Sequence, residues 1–389
     1  MRLTPFVLAT FLLAAAPAAT FPQATDHYYP DAGSWERRSA AQVGMNELRL
    51  ADAVEFIQAA ENPAPRDLSV AHYLTWGREP MDAAVGPFTE RGDVSGFVIR
   101  NGYIVAEWGD TRAVEMTFSV TKSFLSATVG LLWDRGYIGD LTRPVGELVR
   151  TGDFESEHNR KVTWDHLLRQ TSDWQGTLWG KPDWVDRPAQ NLTEYYNRER
   201  DEPGTVYKYN DVRVNLLAWA ALNVVRRPLP HVLREELMEP IGASPTWRWH
   251  GYETSWVELD GERVQSVSGG GHWGGGMFIS AEDLARFGYL TLREGRWRDR
   301  QILSSEWMAM SVTPGPANED YGFMNYFLNT TGRPIPGAPR SAFTHRGAGN
   351  NIIYVDREND LLIVMRWVRG NAINEFIGRV LAALEERAG

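Results

Sequence analysis

The sequence predicts an α/β (α+β) fold in which an antiparallel sheet, built from N- and C-terminal strands and flanked by helices, carries a mostly helical inserted domain. Two observations predict it. Strand patterns occur near residue 100 and again near residue 355, while the long middle of the chain carries helical periodicity. The chain of 389 residues, 43% of them hydrophobic, is long enough and apolar enough for one large unit or two closely packed ones.

The first strands are Ser95-Gly96-Phe97-Val98-Ile99-Arg100 and Tyr103-Ile104-Val105-Ala106-Glu107-Trp108, which flank Asn101-Gly102. That dipeptide readily takes the positive φ angles of a two-residue hairpin turn. At the other end, Ile352-Ile353-Tyr354-Val355 and Leu361-Leu362-Ile363-Val364-Met365 read as a second hairpin. Phe376, Ile377, Val380, Leu381 and Leu384 then form one apolar helical face able to cover a sheet. Between these ends, helices are expected at Val162–Leu168, Asn215–Ala220 and Ala281–Phe287. Another, capped by Thr117, is expected from about Ser119 to Asp134, stopping at Arg135-Gly136. The resulting organisation is a leader over 1–19, an extension over 20–87 with one helix from Met45 to Ala60, a sheet part over 88–118 and 335–389, and a mostly helical part over 119–334. The extension carries no catalytic signal.

Residues 1–19 contain Arg2, an apolar run from Phe6 to Leu13 and then Ala16-Pro17-Ala18-Ala19, the three regions of a secretory signal. The run is shorter than the roughly 18 to 20 residues that span a bilayer, so a cleaved leader and a periplasmic or secreted protein without stable membrane insertion are expected. Its removal takes the formal net charge from −10 to about −11, which argues against nucleic-acid partners. The oligomeric state is not legible. With no cysteine in the chain, disulfides, thiolate metal sites and cysteine nucleophiles are excluded.

Ser119 and Lys122 stand three residues apart in a predicted helix, close enough for a hydrogen bond. Such a lysine serves as a base once desolvation and neighbouring charge lower its pKa from about 10.4 to the 7 to 8 range, at a cost of about 3 to 5 kcal/mol. The pair alone is weak, since a serine with lysine at the third position arises by chance about 0.2 times in a chain this poor in lysine. Two further elements follow in order. One is Pro203-Gly204-Thr205-Val206-Tyr207-Lys208-Tyr209-Asn210-Asp211, and the other is Thr344-His345-Arg346-Gly347-Ala348-Gly349.

Together with Phe118-Ser119-Val120-Thr121-Lys122, these segments resemble the three motifs of the serine β-lactamase-related, penicillin-binding-protein-like hydrolases, which include class C β-lactamases, carboxylesterases and nylon-oligomer hydrolases. The resemblance covers roughly residues 90 to 389 and implies a β-lactamase/transpeptidase-like fold. It implies that Ser119 is the acyl-accepting nucleophile, Lys122 its base, and Tyr209 the residue that shuttles a proton to the leaving group. Tyr195-Tyr196-Asn197 repeats the Tyr-x-Asn spelling without the surrounding pattern. The His345-Arg346-Gly347 segment resembles the His-x-Gly version of a Lys-Thr-Gly strand, implying an oxyanion hole from the backbone N–H groups of Ser119 and Ala348. The Gly-rich passage Ser266–Leu284 resembles one that precedes a late helix in the family, and its glycine density reads as close backbone packing near the cleft. No metal or organic cofactor is implied.

The chain departs from the pattern at Asp211, where relatives usually carry asparagine. An ionised Asp211 only accepts hydrogen bonds and favours a protonated Lys122. A neutral His345 in place of lysine, together with that charge, disfavours an anionic substrate, so a small-molecule ester or neutral amide is expected in preference to a β-lactam, with Arg346 the neighbouring cation that would restore anion binding. The alternatives are a non-catalytic penicillin-binding-type sensor or binding module, and a true β-lactamase or D-Ala-D-Ala carboxypeptidase. A metal hydrolase is disfavoured because His231, His250, His272 and His345 are dispersed, and an α/β-hydrolase because no Gly-x-Ser-x-Gly occurs.

Overall fold

The computed structural model describes residues 27–188, 198–330 and 334–384. The leader-like residues and Tyr195 lie outside the described residues. The extension folds into helices α1 (Glu47–Gln58) and α2 (Leu68–Trp76). Each has a side-chain cap: Asn46 accepts from the Arg49 N–H, and Asp67 from the N–H groups of Ser69 and Val70.

Next comes the expected hairpin, β1 (Ser95–Arg100) and β2 (Tyr103–Trp108), joined by Asn101 at φ 52° and Gly102 at φ 87°. These are the left-handed values that a tight two-residue turn requires. A short strand β3 (Glu115–Met116) leads into helix α3 (Thr121–Asp134), and α4 (Asp211–Val225) follows after a long irregular stretch. A second hairpin, β4 (Arg248–Leu259) and β5 (Glu262–Val267), precedes β6 (Gly276–Ile279) and helix α5 (Ala281–Leu292). The chain then returns through β7 (Tyr326–Phe327), β8 (Phe343–Gly347), β9 (Asn351–Asp356) and β10 (Leu361–Arg366), with α6 (Ile373–Ala382) last.

The principal sheet has the order β7-β8-β9-β10-β1-β2, antiparallel throughout, so the N-terminal hairpin pairs directly with the last strand. Alternation along β10 assigns its residues to two cores. Leu362 and Val364 join Leu284 and Phe287 of α5, while Ile363 and Met365 join Ile57 of α1 and Phe376, Ile377 and Val380 of α6. The apolar face of the C-terminal helix thus covers the sheet as expected, and α1 lies beside it on the same side.

The middle of the chain is less helical than expected. It contains a second antiparallel sheet of order β3-β6-β4-β5, with a 12-residue strand at β4. Irregular pairing between Gly251 and Trp256 breaks the period-two pattern there, so no clean strand alternation is legible in the sequence. The helix expected at Val162–Leu168 is reduced to the single turn Trp164–Leu168. Among the described residues, no helix is long and apolar enough to cross a membrane.

Candidate active site

The cleft lies where the two sheets meet, at the start of α3. Thr117 does not cap that helix. Phe118–Val120 form a 3-10 turn that feeds α3, and Phe118 holds φ at 48°. This conformation is costly for a residue with a bulky side chain, and the surroundings enforce it. The Phe118 ring is buried between Trp76 and Trp367, with both ring centroids 6.4 Å away. The Thr121 hydroxyl donates to the Phe118 carbonyl and accepts from the Met277 N–H at 2.9 Å, tying the turn to β6. The strained residue presents Ser119 at the floor of a cleft of about 370 Å³.

Lys122 Nζ donates to Ser119 Oγ at 3.0 Å. The same nitrogen lies 2.5 Å from Asp211 Oδ1, and both side chains of that pair are 2% exposed. Asp211 is the first residue of α4, which is capped by Asn210 through the Arg213 N–H. Asn210 is itself anchored by Gln170 Oε1 and by the Asp183 carbonyl. Burial lowers the pKa of Lys122, and the Asp211 carboxylate opposes that shift without reversing it.

The ring face of Tyr209 lies 4.6 Å from Lys122 Nζ, and the Arg187 guanidinium lies 4.7 Å from the same ring. Burial, with Tyr326 and Asp211 nearby, holds the Tyr209 hydroxyl well above the usual phenol range, so it carries its proton throughout the working pH range. Tyr326 packs alongside, with its ring centroid 6.4 Å from that of Tyr209.

Two glycines make this packing possible. A methyl group on Gly270 would overlap Lys122 Nζ and the Asp211 carboxylate, and one on Gly347 would overlap the Thr117 carbonyl beside the Ser119 N–H. The Gly-rich passage therefore approaches the cleft as expected, and β8 runs against the backbone of the turn that carries Ser119. Gly270→Ala is expected to push Lys122 out of line and lower kcat by about 100-fold, because misplacement by about 1 Å costs that much. Unaltered kinetics in a folded variant would show that the close approach is unimportant.

Of the third motif, Arg346, Gly347 and Ala348 line the cleft, whereas His345 does not. Strand alternation turns His345 beneath α5, against Phe287 and Phe343, with Nε2 3.4 Å from Thr291 Oγ1. Burial lowers its pKa to about 3, so it is a neutral core histidine. The expectation that His345 shapes substrate binding is corrected accordingly, and Arg346 is the residue of this strand that presents charge to the cleft.

A charged cluster invisible to sequence reasoning forms the opposite wall. His272 Nε2 lies 2.8 Å from Glu79 Oε2, and its Nδ1 lies 3.1 Å from Asp186 Oδ1. Burial lowers the His272 pKa, but the two carboxylates outweigh it and hold the pKa up at about 9, so the ring is an imidazolium at neutral pH. Burial likewise raises the Asp186 pKa, yet Arg187 and His272 overcome it and bring it to about 2. Asp186 also accepts from the Asp211 N–H, which couples this cluster to the start of α4. Glu79, Asp186 and His272 are the one group among the described residues close enough to suggest metal ligation. Their arrangement fits an ion triad better, because each carboxylate faces a different ring nitrogen and one cation can meet only one of them.

Trp76 and Glu79 come from the extension, where the sequence carries no sign of a functional role, and Asp186-Arg187 form an unremarkable acid-base dipeptide. Only the Gly-rich context of His272 could have drawn attention to it.

The beta-lactamase family model matches residues 81–375. The chain belongs to the beta-lactamase family. Solved structures of similar fold include EstCE1, a hydrolase with promiscuous acyltransferase activity, at 14% identity and a TM-score of 0.57 over 87% of this chain and 99% of that one. A family VIII carboxylesterase is 15% identical, with a TM-score of 0.56 over 87% of this chain and 97% of its own. The β-lactamase/D-alanine carboxypeptidase from Pseudomonas syringae is also 15% identical, with a TM-score of 0.53 over 75% and 94%. At these identities the likeness is one of fold. No curated protein sequence matches the chain significantly. Within the beta-lactamase family frame, the matched segment includes Ser119, Lys122, Tyr209 and Ala348 and leaves Trp76 and Glu79 outside.

Proposed function

We propose that the protein is a serine hydrolase that cleaves an ester or amide through an acyl-enzyme on Ser119. The observation that carries this reading is the buried Lys122 Nζ, 3.0 Å from Ser119 Oγ and desolvated enough to lower its pKa. In the reaction, Ser119 Oγ attacks the substrate carbonyl as its proton passes to Lys122, and the backbone N–H groups of Ser119 and Ala348 receive the developing oxyanion. Tyr209, protonated and beside Lys122, gives a proton to the leaving alcohol or amine. Water then attacks the acyl group and gives its proton to the Tyr209 oxygen, while Lys122 returns its proton to Ser119 Oγ as the acid is released. Export of the protein, read from its leader-like N-terminus, belongs to the same proposal.

A fluorophosphonate probe is expected to add to Ser119 and to no other residue, as located by peptide mass spectrometry. Labelling elsewhere, or none, would overturn the assignment. Slow release of the acyl group from a labelled test ester would instead favour the sensor reading, which draws support from the short Lys122–Asp211 contact.

One observation favours a second substrate class. Arg346 lines the cleft and forms no ion pair among the described residues, its nearest ring being Tyr326 at 5.7 Å. A guanidinium in that state suits a carboxylate, as carried by β-lactams and peptide C-termini. With His345 removed from the cleft, half of the argument for a neutral substrate is gone. Comparing p-nitrophenyl esters with a chromogenic cephalosporin decides between the two classes.

A further inference from the structure

A second cavity of about 240 Å³ adjoins the cleft, and Trp76, Phe118 and Ala348 line both spaces. Its remaining walls include Leu68 and Ala71 of α2, with Trp367 behind. Most of this wall precedes residue 81, where the match to the family begins, so the pocket is largely an addition made by the N-terminal extension.

The pocket is mainly apolar, with Asn62, His72, Thr75 and Arg91 as its polar lining, and its frame is tied by hydrogen bonds. Trp367 is held by a bond from its Nε1 to Glu115 Oε2 at 3.0 Å. Arg91, also at the wall, is committed to Glu61 and to the carbonyls of Asn62, Ala64 and Gly92. His72 faces the Asp82 carbonyl at 2.8 Å, and burial lowers its pKa. The Arg91 charge is therefore paired with Glu61, and Arg91 Nε and His72 Nδ1 are the buried polar atoms of these walls left without a hydrogen-bond partner. An apolar cavity of about 150 Å³ is enough for benzene, so this one has room for a ring and its linker.

Its position says which part of a substrate would enter. The pocket adjoins Phe118 and Ala348, which flank the nucleophile and the proposed oxyanion site, whereas Lys122, Tyr209, Asp211 and Arg187 are not among its walls. A leaving group departs towards Tyr209, so the opposite side of Ser119 faces the acyl group. We infer that this pocket is an acyl subsite for an uncharged arylalkyl or branched aliphatic group, and that α2 sets acyl specificity. The inference rests on the acyl-enzyme reading above.

The test compares p-nitrophenyl phenylacetate with p-nitrophenyl acetate, in the wild type and in Ala71→Trp, which fills the pocket from α2, on a wall that none of Ser119, Lys122 and Tyr209 lines. The wild type is expected to prefer the phenylacetyl ester in kcat/KM by about tenfold or more, and the variant to lose that preference while acetate turnover stays within about twofold. An equal ratio in both proteins overturns the inference. Thr75→Trp, at an exposed position on the rim, repeats the comparison if Ala71→Trp does not fold. Binding of phenylacetamide to Ser119→Ala, followed by calorimetry, is expected to be saturable and to vanish when either tryptophan is added. Binding that survives both substitutions, or no binding at all, overturns the subsite. If neither ester acylates Ser119 while this binding behaves as expected, the hydrolase reading fails and the pocket stands.

Discussion

Ser119→Ala is expected to lower kcat on any ester substrate by about 10⁴- to 10⁶-fold, the range seen when an acyl-accepting nucleophile is removed. The fold should survive, because the hydroxyl's recorded partner is Lys122 Nζ at 3.0 Å, which keeps its contact with Asp211. The strained turn is held by Phe118 and Thr121 and does not depend on the serine side chain. Circular dichroism and thermal melting should match the wild type, and labelling by fluorophosphonate should disappear. Retained turnover in the folded variant would remove Ser119 from the mechanism.

Asp211→Asn is expected to have the second largest effect, and its sign follows from the pair. Lys122 works as a base only when neutral, so activity rises with pH through its folded-state pKa, which burial places below the ordinary 10.5. The Asp211 carboxylate raises that pKa, so removing the charge moves the acid limb of the kcat/KM profile to lower pH, by about one unit or more. Stability moves in the opposite sense at neutral pH. In the unfolded chain Lys122 is charged below about 10.5, and the variant buries it without an anion. Folding then either releases a proton or carries an unpaired cation, whose burial costs about 3 to 5 kcal/mol. That deficit should shrink as pH rises towards the unfolded value, so melting at pH about 7 and about 9.5 should show the variant recovering relative to the wild type. An unchanged pH profile and an unchanged rate would show that Asp211 does not govern the base.

What could be read from the chain and what could not divide along the range of the interactions involved. The Asn101-Gly102 hairpin, the strands around Tyr354 and Ile363 and the apolar face of the last helix depend on local periodicity and turn chemistry, and the structure has them. The Ser119–Lys122 contact is equally local, since one turn of chain suffices to bring the two side chains together. Thr117 shows where such reasoning stops. Its residue type suits a cap, but the pull of Trp76 and Trp367 on Phe118 sets the turn instead.

His345 and Arg346 are adjacent in a motif, and their roles depend on which face of β8 meets α5. A register difference of one residue would exchange them, and nothing within the strand decides it. Trp76, Glu79, Asp186 and His272 are brought together across nearly 200 residues by tertiary ion pairs and ring packing. By itself the sequence determined the family and the pairing of Ser119 with Lys122, because these rest on motifs in order and on a contact within one turn. Only the tertiary structure decided that Asp211 touches Lys122, that Arg346 rather than His345 faces the cleft, and that the extension forms part of its wall. Those outcomes depend on burial and on partners distant in sequence, and burial is a property of the folded chain.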